Sequence, residues 1–416
     1  MKRNILLLHS YWRKLPLITA KSMGLTIALA MEDITWQDEF IDYHLDVNPY
    51  RKDQLLEKVK ELNKTERIDG IVTFTENLVA CCSYLTDYFG LPGNPFDTAL
   101  CLRNKYKMRQ SLKENGVPQP KFKFIRNTTE GIGAVKEIGF PTIIKPIAAA
   151  GSLGVIKADN RAELIRGIEI IKKLQSERDS QYFSDFEEVV TEDGIMLEEY
   201  MDGEEIAIDC IYCNGVYHVL AIHDKPEKMP GPYFAETIYT TPSRHSQAVQ
   251  QEIKNIAVRA LKALNVKTGA AHIEMRLTLD GCKIIEVGGR LGGVTVADSI
   301  LYSTGINPYN LIYNLSLGNP IDPHLEQTQA SGFMTIPVYK CGRIEKIDGI
   351  DRAKKIPGIK EIILMKQPGD LMEKTLPQKG DIYPVCIVAQ AATPEILEKR
   401  IYDAANAIDI KISEIV

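Results

Sequence analysis

Residues 270–293 read AAHIEMRLTLDGCKIIEVGGRLGG. Two strand-like runs meet at Asp280-Gly281, a dipeptide that favours a tight hairpin. His272, Glu274 and Arg276 alternate, so they share one face of the first strand. Glu286 lies near the end of the second run, which puts two glutamates on adjacent strands. Carboxylates side by side repel unless a cation lies between them. Oxygen ligands near a phosphate favour Mg2+ or Mn2+. Arg290 follows inside Gly-Gly-Arg-Leu-Gly-Gly, where its guanidinium can meet a phosphate or a carboxylate. The plain alternative is a solvated acidic pair, but Ile284 and Ile285 before Glu286 argue against full exposure.

Working upstream, residues 197–209 read LEEYMDGEEIAID. The segment from Glu198 to Met201 can offer backbone groups to a purine, with Met201 as an apolar wall and Glu205 as an acceptor for ribose hydroxyls. On its own the stretch reads first as an exposed acidic turn, since charge runs are usually solvated. Residues 141–155 read PTIIKPIAAAGSLGV. An apolar strand delivers Lys145, and the small residues with Gly151, Ser152 and Gly154 let backbone N–H groups approach phosphate oxygens. A glycine-rich hairpin with a stray lysine is the alternative.

The rest of the chain supplies context. It has 416 residues, 44% hydrophobic and 25% charged, with a net charge of −5. That excludes disordered and collagen-like classes and predicts about two to four domains. Without a polybasic block, no nucleic-acid or membrane-surface partner is expected. The eight cysteines are too few for a disulfide scaffold, and Cys210 and Cys213 sit inside a strand-like run. Lys2 and Arg3 precede ILLL, but the apolar run stops at His9, short of a secretory signal. No membrane span is expected, and the expected location is the cytoplasm.

NILLLH (4–9) reads as a strand, 17–31 as a helix, 39–47 as a strand, 52–64 as a helix and DGIVTF as a strand. That alternation predicts a parallel sheet with crossover helices. Helices are also expected over 97–115 and 246–264 and near the C-terminus in TPEILEKRIYDAANAI. The expected division is 1–95, a helical linker 96–120, a small unit 121–195, a larger one 196–330 and a last α+β unit 331–416. No P-loop, zincin or nucleophile-elbow motif appears.

The order of the three stretches resembles the ATP-grasp superfamily of ATP-dependent carboxylate–amine ligases, over roughly residues 1–330. The E-V-G-G-R-x-G-G form and the C-terminal unit resemble its L-amino acid ligases, which join two amino acids into a dipeptide. The resemblance implies a mixed α/β and α+β ATP-grasp fold with a Rossmann-like N-terminal domain and a lid-like C-terminal domain. It implies ATP with Mg2+ or Mn2+, two small-molecule amino-acid substrates, and release of ADP and phosphate after an aminoacyl-phosphate intermediate. Lys105 (in RNKYKMRQ) and Lys145 would be the nucleotide lysines, and Gly151, Ser152 and Gly154 the phosphate loop. Glu198, Tyr200 and Met201 would form the adenine hinge, with Glu205 on the ribose. Glu274 and Glu286 would hold the metal. Arg290 would steady the intermediate, with Gly292 and Gly293 beside the substrate. GPYFAETIYTTPS (231–243) resembles the family's substrate-binding stretch, placing Glu236 near an amino group and Tyr239 in the same pocket. Gly288 departs from the E-x-N-x-R of many relatives, leaving the number of metal ligands open. Glu236 and His272 are both candidates for the base, and neither is assigned. A homodimer is the default assembly. Two other readings stay open: a ligase for a non-amino-acid carboxylate, and a nucleotide-binding regulator without catalysis.

Overall fold

The computed structural model describes residues 3–10, 13–176, 194–228, 231–323, 325–372 and 382–413. The apolar run after Asn4 becomes β1 (Asn4–Leu8), with Ile5 to Leu8 fully buried. Together with β2 (Thr26–Ala30), β3 (Tyr43–Leu45) and β4 (Gly70–Val72) it forms a parallel sheet in the order β3-β2-β1-β4. The helix expected over 17–31 is a helix, Leu15–Ser22, followed by β2. Gly24, at φ +72°, follows the helix, and the apolar TIALA beyond it has no helical period. The strand expected over 39–47 shrinks to β3, because Trp36–Glu39 coil into a 3-10 turn.

The helical pattern over 97–115 is two helices, Phe96–Arg103 and Lys105–Glu114. Asn104 stands between them in an extended conformation, and its side chain accepts from the N–H groups of Tyr106 and Lys107. Asparagine is among the best residues for such a cap. The break sets Lys105 in the first turn of the second helix, with Arg109 one turn on along the same face.

A four-stranded sheet follows, built from β5 (Phe122–Ile125), β6 (Thr142–Pro146), β7 (Ile156–Ala158) and β8 (Ile195–Glu199) in the order β5-β8-β6-β7. Helices Thr128–Ile138 and Arg161–Ser176 pack on it. The remaining strands are β9 (Glu204–Cys213), β10 (Val216–Lys225), β11 (Ile238–Thr241), β12 (Thr268–Thr278), β13 (Gly281–Gly288), β14 (Ala330–Ile336), β15 (Gly342–Asp348), β16 (Ile359–Leu364), β17 (Leu371–Met372), β18 (Val385–Ala391) and β19 (Asp409–Ser413). The main sheet runs β13-β12-β9-β10-β11-β14-β18-β16, so it continues across residue 330 into the C-terminal segment.

The β12–β13 hairpin turns through Leu279-Asp280, with Gly281 at φ +100° opening the return strand. Ile273, Met275, Ile284 and Val287 are fully buried. Each such side chain contributes about 1.5–3 kcal/mol, and a one-residue slip would exchange the two faces of the strand. That burial holds Glu274 directly opposite Glu286. All eight cysteines are free, and Cys210 and Cys213 lie in β9. No helix among the described residues is long and apolar enough to cross a membrane.

Candidate active site

Strands β6, β8, β12 and β13, the loop after β6 and the start of the Lys105 helix surround one cavity of about 360 Å³. At one end β6 delivers Lys145, whose Nζ lies 2.8 Å from Glu198 Oε2. Arg109 is fully buried and grips the same carboxylate, with Nε donating to Oε1 at 2.7 Å and Nη2 to Oε2 at 3.3 Å. Burial alone would raise the pKa of Glu198, but Arg109 and Lys145 bring it down to about 2. The Glu198 side chain therefore anchors Lys145, while its residue still lines the cavity beside Tyr200 and Met201.

The loop after β6 folds as its glycines allow. Gly151, Ser152 and Gly154 all have positive φ, at 63°, 57° and 72°. Gly151 and Ser152 line the cavity. Gly154 does not; a Cβ there would lie 3.0 Å from Pro146 Cδ, so its smallness serves packing. Lys105 Nζ donates to the carbonyl of Ala149 and to Glu286 Oε1, both at 2.8 Å, tying this loop to the hairpin. Tyr200 and Met201 line the cavity beside Glu199. Glu205 also lines it, but its two oxygens are already engaged by Lys225 and Arg276, each at 2.6 Å. The expected open ribose acceptor is thus part of an ion cluster.

Glu274 and Glu286 both border the cavity, Glu286 on the side of Lys105. Two hard carboxylate donors in cross-strand register suit Mg2+ or Mn2+. A second set of acids, Glu205, Glu236 and Glu274, comes close enough together to hold a cation. That set already has one: Lys225 Nζ lies 2.6, 2.8 and 3.2 Å from them. Burial would favour a neutral lysine, but the three acids hold its pKa well above the ordinary range. Tyr239 OH donates to Glu236 Oε2 at 2.6 Å, and its ring lies 4.7 Å from Lys225 Nζ. Burial and the neighbouring Glu274 push Glu236 up to about 7, against the pull of Lys225.

Behind Glu274, Asp209 is fully buried and lies 3.0 Å from His272 Nδ1 and 3.5 Å from His223 Nδ1. Burial would lower the pKa of His272, yet Asp209 and Glu274 raise it to about 10. Burial lowers His223 to about 4. Asp209 Oδ1 accepts from the Gly292 N–H at 2.8 Å. Gly292 therefore shapes the loop from behind, whereas Gly293 and Arg290 line the cavity. Arg290 Nε pairs with Glu76 Oε2 at 2.8 Å, and Glu76 Oε1 accepts from Arg103 at 3.3 Å.

Sequence reasoning missed Arg109, Lys225, Asp209 and Glu76, and placed Arg276 on the face of Glu274 without giving it a role. Two left a readable signal: Arg109 stands one helical turn from Lys105, and Asp209 interrupts the apolar run that starts at Ile206. Glu76 left none, because it reaches Arg290 from a segment more than 200 residues away in the chain.

Residues 138–298 match the ATP-grasp domain model, and residues 334–413 match the model of L-amino acid ligase C-terminal domain 2. The fold and the cavity define an ATP-dependent ligase of the ATP-grasp superfamily. Within it, the C-terminal segment is similar to that of the L-amino acid ligases. The crystal structure of an L-amino acid ligase from Bacillus licheniformis superposes with a TM-score of 0.85 at 24% identity, covering 99% of each chain. An L-arginine-specific L-amino acid ligase of Bacillus subtilis is 25% identical, over 77% of this chain and 75% of that one. Dapdiamide A synthase of Enterobacter agglomerans is 24% identical, over 80% and 78%.

Proposed function

We propose that this ligase joins two L-amino acids into a dipeptide through an aminoacyl phosphate, with release of ADP and phosphate. The observation that carries the reading is the register pairing of Glu274 with Glu286 in one cavity with Lys105, Lys145, Arg290 and Glu236.

A carboxylate is a poor acyl donor because its oxygen leaves badly. Transfer of the γ-phosphoryl group of ATP to one amino acid's carboxylate replaces that leaving group with phosphate. Lys145 and the Gly151–Ser152 backbone orient the phosphate oxygens, and Lys105 joins them from the helix start. Tyr200 and Met201 flank the base, and Glu205 borders the nucleotide. Glu274 and Glu286 would hold Mg2+, which offsets charge on the phosphates. Arg290 faces the acyl centre and stabilises the oxyanion that forms when the second amino acid's amine attacks. Glu236 holds an α-amino group, with Tyr239 fixing its carboxylate. An amine must lose a proton to attack. Glu236 and His272 both flank Glu274 and are the candidates for the base.

The test is phosphate release from MgATP across pairs of the twenty amino acids, with mass spectrometry of the products. A pair-dependent signal, with a product mass equal to both acids minus water, is the expected result. Phosphate release only with a non-amino-acid carboxylate, or ATP binding without turnover, would overturn the reading.

A further inference from the structure

The end of the cavity around Glu236 has a wall that the reaction chemistry does not use. Tyr239 and Phe333 are register partners on β11 and β14, with rings stacked 4.9 Å apart at 14°. Met365 packs against the cluster that contains both. Its N–H donates to the carbonyl of Pro384 at 2.8 Å, which sets it beside Tyr383. Thr335 Oγ1 donates to the backbone carbonyl of Glu236 at 3.0 Å, locking the segment before β11 that carries the acid against the C-terminal segment. Phe234 completes the surround. This arrangement exists because the main sheet runs on through β14, β18 and β16.

The four described residues beyond 330 that reach the cavity are Phe333, Thr335, Met365 and Tyr383, and none carries a charge. We infer that this wall is a side-chain subsite, and that the amino acid held by Glu236 carries an uncharged, apolar side chain such as that of Leu, Met or Phe. This rests on the dipeptide-ligase reading. The backbone end of such a substrate meets Glu236 and Arg290, so its charges are matched. A guanidinium, ammonium or carboxylate at its far end would be buried against rings and a thioether, with hydroxyls but no opposite charge in the wall, which is disfavoured. An apolar side chain there removes its own surface and that of the wall from water.

The test uses the full chain with MgATP and scores each product by its N- and C-terminal residue. At one product position, Leu, Met and Phe should exceed Lys, Arg, Asp and Glu by at least about tenfold in kcat/KM. Met365→Glu should shift that position toward Lys and Arg. Met365→Ala, which keeps the wall apolar, should keep charged residues excluded while weakening the preference for the largest apolar ones. Equal use of charged and apolar residues at both positions would overturn the subsite, as would an unchanged ranking in Met365→Glu. If no pair is ligated, titration calorimetry with Phe and with Lys separates the two ideas. Binding of Phe over Lys that reverses in Met365→Glu would keep the subsite and sink the dipeptide reading, whereas equal binding would sink the subsite.

Discussion

The two ends of the cavity treat buried charge in opposite ways. At the Lys145 end one carboxylate, Glu198, is shared by two cations, leaving a surplus positive charge beside the glycine loop. At the Glu236 end one ammonium, Lys225, is shared by three carboxylates, and Arg276 offsets only part of the excess. The first end is built to receive an anion and the second to receive a cation. On the proposed function, one protein surface would meet both the phosphates and the metal or amine that must join them. The lesson is that Glu198 and Lys225, which do not have to touch ligand at all, set the sign of each end.

The sharpest break in this contrast is at the metal pair. Glu286→Gln keeps the shape and the contact to Lys105 but removes one of two facing charges. Turnover should fall by about a thousandfold or more, in the range seen when a preorganised charge is lost from a reacting phosphate. ADP formation at saturating Mg2+ measures it, and near-normal turnover would remove Glu286 from the metal site.

Lys225→Met tests the acidic end from behind. It leaves Glu205, Glu236 and Glu274 without their shared cation, and breaking a buried pair typically costs about 3–5 kcal/mol. The melting temperature should fall, and added divalent cation should recover part of the loss, because the three acids can then hold an ion. A variant as stable as the wild type and indifferent to divalent ions would mean that Lys225 is incidental.

The third effect is smaller and depends on pH. Glu236 has a folded pKa raised from 4.5 to about 7, so the folded state binds its proton more tightly than the unfolded chain does. Its contribution to stability is present below the unfolded value and is lost as pH rises toward 7. Glu198 works in reverse: with its pKa lowered to about 2, its contribution is present above 4.5 and is lost as pH falls through that window. Glu236→Gln should therefore flatten the decline in melting temperature between pH 4.5 and about 7. A decline that persists unchanged in the variant would assign it to another group.

Most of the frame was legible because it rests on local patterns. The alternation in HIEMR and the Asp280-Gly281 dipeptide place Glu274 and Glu286, and the glycines after Lys145 place its loop. Boundaries were less legible where a run is apolar throughout: TIALA has no period to separate a strand from the helix before it. The ion clusters were illegible for a different reason. The cations on Glu205, Lys225 and Arg276, arrive from neighbouring strands, and Arg109 reaches Glu198 from a helix. Who neutralises a buried carboxylate is a tertiary fact, and it decided the role of each.

The departure at Gly288 gives the smallest and most local test. A Cβ at this position would lie 3.2 Å from Glu76 Oε2 and 3.7 Å from the carbonyl oxygen of His272. Its backbone is not in the left-handed region, so an alanine meets no strain of its own and only crowds the Glu76 carboxylate. That carboxylate is already held between Arg290 and Arg103. The space an asparagine would fill is therefore taken by Glu76, which reaches the hairpin from the turn after β4 and holds the Arg290 guanidinium. Gly288→Ala should cost little stability, roughly within 1 kcal/mol. A shift of a few tenths of an ångström in Arg290 should lower kcat for ligation by several-fold, since catalytic geometry is sensitive on that scale. The KM for ATP should hold, because Lys145 and its loop are untouched. A raised KM for ATP with kcat unchanged would instead tie Gly288 to the phosphate end and dissolve the division between the two.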